Sequence, residues 1–342
     1  MLKTRKACCN IWLISWLFAF CFPPVMADTI TAPLNKLVLD LDQMNASYRF
    51  YLAGHLYGDP RNRDSLFPAS TFIAYINRIN SDNAQFFVSL GDNYRMTKEI
   101  YLTNFKKSVA EKLKIPMFNA VGNHDVTNRE VYEKEFGKTY YCFRYNMGLF
   151  IFLDSELNAG NIVGDQLDFF VTTTQEAIKD QEIRHVFIFS HKLIWCVGDP
   201  KYQVIMKNVN SGSGYTSNDN FRKDVQPVLV NLSKYKSTYW ISGDVGCSWS
   251  IPFFFHKDLL TNITYIATGI GDTKEDMIVR SNVDSSGHIK FNLVSLTEKP
   301  VAKVENYGLD YWENRKKQLS VGSYFRFGVF VVISLSIFLY LF

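Results

Sequence analysis

Two apolar runs in this chain break off into glycine and then into side chains that bind metal ions. One ends at Ser89-Leu90 and continues Gly91-Asp92-Asn93; the next ends at Ala120-Val121 and continues Gly122-Asn123-His124-Asp125. Three more end in the same style, in Gly54-His55, in Ser190-His191 and in Gly243-Asp244. Glycine lets a chain turn sharply and approach a ligand closely. His, Asp and Asn offer the nitrogen and oxygen donors that borderline divalent metals accept. Singly, each ending reads as an ordinary turn, a satisfied core histidine or, at Asp125, the start of a helix. Together, at intervals that suit successive βα units, His55, Asp92, Asn123, His191 and Asp244 are candidate ligands of a metal cage, with His124 beside it. His185, His256 and His288 fall outside the pattern and read as structural.

Such ends work together only if their strands lie side by side, because open α/β sheets keep their sites beyond the carboxyl ends of the strands. The apolar runs predict strands over 48–53, 84–90, 115–121, 186–190 and 237–242. Helical spacing predicts a helix over 65–80, with Phe72, Tyr75, Ile76 and Ile79 on one face, and others over 97–113, with Thr97 as N-cap, and 164–180. Two hairpins interrupt the alternation, one over 140–155 and one over 277–296, so the sheets are expected to be mixed. The polar stretch 197–224 reads as a long surface loop and a candidate lid.

The chain has 342 residues, 47% of them hydrophobic and 15% aromatic, enough for a sizeable core. A formal charge of +4, much of it from Lys3, Arg5 and Lys6, gives no case for a nucleic-acid footprint, which would need a basic face. Lys3, Arg5 and Lys6, the apolar stretch 11–22 and Val25-Met26-Ala27 predict a secretory signal over 1–27, with an uncleaved anchor as the alternative. Residues 321–342 carry Arg326 as their one charge. As a helix they would span about 33 Å, enough to cross a hydrocarbon core of roughly 30 Å. A transmembrane anchor on the exported side is expected there, with a buried core helix or a lipid-anchor signal at Ser320, Gly322 and Ser323 as alternatives. Residues 28–299 are then the exported domain and 300–320 a charged juxtamembrane stalk. Removing the leader leaves Cys142, Cys196 and Cys247, and an oxidising compartment permits a Cys196–Cys247 disulfide near the rim of the site. Asn45, Asn231 and Asn262 open glycosylation sequons, which matter only in a eukaryotic host.

At its strand ends the chain resembles the calcineurin-like metallophosphoesterases, whose motifs run Asp-x-His, Gly-Asp, Gly-Asn-His-Asp/Glu, a lone His and Gly-His-x-His. Gly91-Asp92, Gly122-Asn123-His124-Asp125 and His191 match, and the resemblance covers residues 48–295. LGDNY (90–94) and YYCFRY (140–145) also resemble the purple-acid-phosphatase-like branch. The resemblance implies a four-layer α/β/β/α sandwich with two mixed β-sheets, a metal pair bridged by Asp92, and hydrolysis of phosphoric esters. Two motifs depart from it. Ala53 stands where the first has Asp, and Gly243-Asp244-Val245-Gly246 stands where the last has Gly-His-x-His. One implied metal site keeps only His55 and Asp92. The other keeps Asp92, Asn123 and His191, with Asp244 as a replacement oxygen donor, so a single manganese, iron or zinc ion is the simpler expectation. His124 is implied beside the leaving group as proton donor, and His55 is free to contact phosphate. Lys192 reads either as an exposed lysine or as a further positive charge. The resulting expectation is an exported, membrane-tethered, metal-dependent phosphoesterase acting on a phosphorylated substrate. The alternative is a non-catalytic binding or assembly module on the same fold. A serine or cysteine hydrolase lacks support, since the chain has no Gly-x-Ser-x-Gly.

Overall fold

Runs of aromatic and β-branched residues become strands in this protein because both of their faces are covered. The computed structural model describes residues 29–41, 47–59, 61–206, 220–246 and 252–315. Its strands in chain order are β1 Thr29–Thr31, β2 Val38–Asp40, β3 Tyr48–Ala53, β4 Phe86–Ser89, β5 Met117–Asn119, β6 Tyr141–Tyr145, β7 Gly148–Phe152, β8 His185–Ser190, β9 Ser237–Ser242, β10 Phe253–Asp258, β11 Ile263–Thr268, β12 Met277–Val283 and β13 Ile289–Ser295. A five-stranded sheet has the order β13-β12-β3-β4-β5, a six-stranded sheet the order β10-β11-β9-β8-β7-β6, and β1 pairs with β2 alone. β3, β4 and β5 are parallel, as are β7, β8, β9 and β11. The hairpin arms β12, β13, β6 and β10 pair antiparallel, so both sheets are mixed.

The sheets meet through aromatic rings. Phe50 of β3 stacks on Phe86 of β4 at 5.2 Å and meets Phe150 of β7 and Phe187 of β8 edge-on at 5.4 and 5.3 Å. Each buried ring of this kind contributes about 1.5–3 kcal/mol. Helices cover the outer faces. α1 Ser70–Ser81, α2 Glu99–Phe105 and α3 Arg129–Phe136 bury Phe72, Phe105 and Phe136 in one cluster with Tyr51, Phe87 and Ile278 of the five-stranded sheet. On the six-stranded sheet, Trp240 of β9 meets Phe170 of α4 Asp165–Lys179 edge-on. A short helix, α5 Gln203–Met206, follows in the chain. Phe221 also packs on Trp240 and leads into α6 Gln226–Leu232.

Several boundaries differ from expectation. α1 starts at Ser70, after Pro68, because the residue before a proline is driven out of the helical region. The helix expected over 97–113 is split into α2 and a wider turn, Lys106–Ala110. Thr97 does not cap it; its hydroxyl donates to Asp125 O at 2.6 Å. Residues 200–206, expected in the loop, are helical and bury Tyr202 and Ile205; residues 207–219 lie outside the described residues, as do the expected leader, Cys247 and the 321–342 anchor. Among the described residues, no helix is long and apolar enough to cross a membrane.

The expected stalk is in large part domain. Tyr307 meets Phe253 edge-on at 5.7 Å, and Trp312 meets Phe254 at 6.1 Å while its indole N–H donates to Phe253 O at 3.2 Å. Val304, Tyr307 and Trp312 bury one face of 304–315 on β10. Replacing the buried Trp312 by alanine is therefore expected to cost about 3–5 kcal/mol in urea unfolding, where a free stalk residue would cost under about 0.5 kcal/mol.

Candidate metal centre

The parallel strands β3, β4, β8 and β9 end at one rim, where backbone bonds sew the sheets together. Gly54 N donates to Thr268 O at 3.1 Å and His55 N to Gly91 O at 2.9 Å, while Gly243 N and Asp244 N both donate to His191 O at 2.9 and 3.0 Å. Two glycines are needed where these ends cross. A Cβ on Gly122 would lie 2.2 Å from Asp92 Oδ1, and one on Gly91, at φ +89°, would lie 2.6 Å from Gly122 N. His55 and Asp92 themselves adopt φ 55° and 58°. That region is uncommon for residues other than glycine and costs of order 1 kcal/mol, so surrounding bonds must hold it.

Much of that hold comes from Asp125. Its carboxylate accepts from Gly122 N (2.9 Å), Asp92 N (2.9 Å) and Asn93 N (2.8 Å), and from the Asn93 side-chain amide. Asp125 thus ties the loop after β4 to the loop after β5 instead of starting a helix. Burial and the nearby Asp92 charge push its carboxyl up to about 6, against the N–H bonds from Gly122 and Asn93.

Three histidines are oriented by carbonyls. Nδ1 of His55 donates to Ile270 O (3.0 Å), Nδ1 of His191 to Leu90 O (2.8 Å) and Nδ1 of His124 to Arg95 O (2.6 Å), since a carbonyl only accepts. The Nε2 atoms are left for other work. Those of His55 and His191 lie 3.9 and 3.4 Å from Asp92 Oδ2, and that of His191 lies 3.8 Å from Asp244 Oδ1. His124 Nε2 accepts instead from the Tyr57 hydroxyl at 3.1 Å, and the His124 backbone N–H donates to Asp92 Oδ1 at 3.0 Å. Burial lowers the His55 imidazole to about 4, against the pull of Asp92. Burial also acts to lower His191, but Asp92, Asp244 and Glu156 outweigh it and raise that ring to about 10. Asp92 is pushed up by burial, yet His191, His124 and His55 more than reverse this and hold it below the usual carboxylate range.

The rim therefore brings together His55, Asp92, His191 and Asp244, with His124 on Asp92. Asn123 is half-buried in the same loop as His124. Among the described residues, no three His, Cys, Asp or Glu side chains close into a ready-made cage. The donors fit a divalent ion pairwise around His191. Its buried Nε2 has no hydrogen-bond partner, and two ligands at about 2.1 Å from one tetrahedral ion stand roughly 3.4 Å apart. Lys192 is neither exposed nor a free charge; it is 7% exposed and pairs with Glu156 at 2.7 Å. Glu156, at the end of β7, lies in the field of His191 and Asp92, and burial raises its carboxyl. Sequence reasoning missed it and Tyr57. The signal for Glu156 was a sixth apolar run, Leu149 to Leu153, ending in Asp154-Ser155-Glu156. Gly246, where the resembled motif has its last His, sits at φ +99° with a Cβ position 2.3 Å from Gly269 C, so no side chain fits. Removing the carboxylate with Asp125→Ala strands buried backbone donors, and a loss of about 3 kcal/mol or more in urea unfolding is expected. Gly246→His is expected to lower the midpoint of thermal unfolding without raising metal content.

No protein-family profile and no curated protein sequence matches the chain. Among solved structures, the purple acid phosphatase PPD1 from yellow lupin (Lupinus luteus) seeds is similar at TM-score 0.52 and 13% identity, over 75% of this chain and 53% of that one. The chain thus spans about half the length of the lupin protein. TT1561 of Thermus thermophilus gives a TM-score of 0.41 at 10% identity over 73% of this chain and 99% of its own. Vps29 of Chaetomium thermophilum gives 0.30 at 11% identity over 75% and 100%. At such identities the lupin likeness speaks to architecture alone, and with the two mixed sheets and the rim at their strand ends it is decisive for that: the chain has the calcineurin-like metallophosphoesterase fold.

Proposed function

We propose that the chain is a metal-dependent phosphoesterase with a reduced metal site held by Asp92, His191 and Asp244, with Asn123 and His55 as further ligands. The observation that carries this reading is the buried Nε2 of His191 set between two carboxylates, 3.4 Å from Asp92 and 3.8 Å from Asp244. A ring nitrogen facing carboxylates is costly unless a proton or a cation lies between them. The carbonyl bond on its other nitrogen is the usual support of a ligating histidine. Carboxylate oxygens beside an imidazole and an amide suit manganese, iron or zinc.

When bound, such an ion supplies Lewis-acid stabilisation of phosphoryl charge and an activated water at neutral pH. The chain's own groups supply the rest. His124 in its imidazolium form, with a proton on Nε2 directed at the Tyr57 oxygen, would pass that proton to the leaving oxygen of a phosphomonoester or phosphodiester. His55 suits a ligand role better than a phosphate contact, because burial keeps it neutral and its proton is committed to Ile270 O. The leader-like N-terminus and the apolar C-terminus support placing the domain on the exported face of a membrane, tethered by 321–342.

One observation favours a second reading, a binding or assembly module without catalysis. Ala53 and Gly246 remove two ligands of the second metal, and Gly246 has no room for a side chain. Metal analysis of the purified full chain separates the readings. One tightly held ion is expected, lost in Asp92→Ala and in Asp244→Ala. Turnover of p-nitrophenyl phosphate or bis(p-nitrophenyl) phosphate is expected to fall about 100-fold or more in His124→Ala. A chain that takes up no manganese, iron or zinc and turns over neither ester belongs to the second reading.

A further inference from the structure

The end of the sandwich opposite the rim carries an apolar point ringed by unpaired lysines. The turn between β10 and β11 holds Leu259 and Leu260 at 86% and 96% exposure, and Tyr235 beside it is 63% exposed. This turn is built, not slack. Leu260 N donates to Asp258 Oδ1 at 3.0 Å, Ser233 Oγ donates to Thr261 O at 2.6 Å, and the Asn262 amide donates to Ser233 O at 3.4 Å. A fold that fixes two adjacent leucines in solvent presents them to something apolar.

Charge says what that something is. Lys234, Lys257 and Lys290 are exposed, and among the described residues they have no ion-pair partner. Of the nearby acidic groups, Asp258 is paired with Lys201 and Asp180 and Glu182 with Arg144, while Asp284, in the turn before Lys290, accepts from Ser286 and His288. Between the edge strands β10 and β13 a groove of about 690 Å³ opens beside the turn, floored by Tyr239, Phe255 and Phe291 and rimmed by Lys257, Lys290 and Lys303 against one acid, Glu305. Edge lysines also discourage strand-to-strand pairing, but that role does not call for exposed leucines at the neighbouring turn.

We infer that this end of the domain docks on a bilayer rich in anionic phospholipid. Leu259 and Leu260 enter the boundary between headgroups and acyl chains, and Lys257 and Lys290 contact the headgroup phosphates. The docking turn lies about 20 Å along β10 from Phe253 at the rim.

The test uses the full chain with the photocrosslinker p-benzoylphenylalanine at Leu260 or, as control, at Ile100, which is 53% exposed on α2 at the rim end. Irradiation on vesicles of phosphatidylcholine and phosphatidylglycerol is expected to give a lipid adduct at 260 and none at 100. The yield is expected to fall about fivefold in each of Lys257→Ala and Lys290→Ala, and similarly on vesicles of phosphatidylcholine alone. Because the crosslink reports where lipid touches, other apolar segments that bring the chain to vesicles do not mimic it. Equal adducts at both positions, indifference to the lysines or to phosphatidylglycerol, an adduct to a second copy, or an adduct within the chain would each overturn the inference.

Discussion

Everything at the rim hangs on one carboxylate that no water reaches. Asp125 is fully buried and accepts backbone N–H bonds from both loops that carry the site. Hydrogen bonds to an ionised acceptor contribute about 1.5–3 kcal/mol each, which offsets the cost of burying charge close to Asp92. Without it, the amides of Asp92 and Gly122 lose their shared acceptor, and the left-handed turn at Asp92 loses its anchor on the Gly122 side. The Asp92 carboxylate would then keep the His124 backbone N–H to fix its direction. The rim is thus organised by the chain's own backbone bonds.

A second layer of order comes from carbonyls. Ile270, Leu90 and Arg95, on three different segments, each fix the tautomer of one histidine. The outcome is a division of labour. His55 and His191 turn their Nε2 atoms toward Asp92, while His124 turns toward Tyr57. Identical side chains at equivalent strand ends therefore acquire different chemistry from the main-chain oxygen behind them. Glu156 adds negative field at His191 and is itself held by Lys192, so the lysine steadies an acid and does not offer a charge to phosphate.

The strand ends were legible in the sequence because each joins an apolar run to a small residue and a polar one, and this signal is local. What escaped was non-local. Asp125 reads as a helix start because two of the donors its carboxylate meets lie on another loop, 33 residues away at Asp92 and 32 at Asn93. Glu156 was hidden because β7 reads as the arm of a hairpin, and only its parallel pairing with β8 brings its end to the rim. β10 and β11 were blurred by Leu259 and Leu260, which extend the apolar signal through a turn where both side chains face solvent. The 300–320 segment reads as a stalk by its charge, although Val304, Tyr307 and Trp312 recur at spacings that put them on one buried face.

The same backbone contacts account for what the site lacks. Gly54, Gly243 and Gly269 leave no space between the ends of β3, β9 and β11: a Cβ on Gly54 would lie 2.6 Å from Gly243 Cα, and one on Gly269 would lie 1.9 Å from Val245 O. Ala53 and Gly246 flank this seam, at the positions where the resembled pattern has two more ligands. The seam closes main chain on main chain where a second ion's ligands would stand. Loss of that half and stiffness of the other half are then one feature. The closed seam sets the spacing between β4, β8 and β9, and with it the 3.4 Å and 3.8 Å separations of His191 from Asp92 and Asp244. A chain built this way has main chain where the resembled pattern has a second set of ligands, and the same contacts fix the geometry around His191.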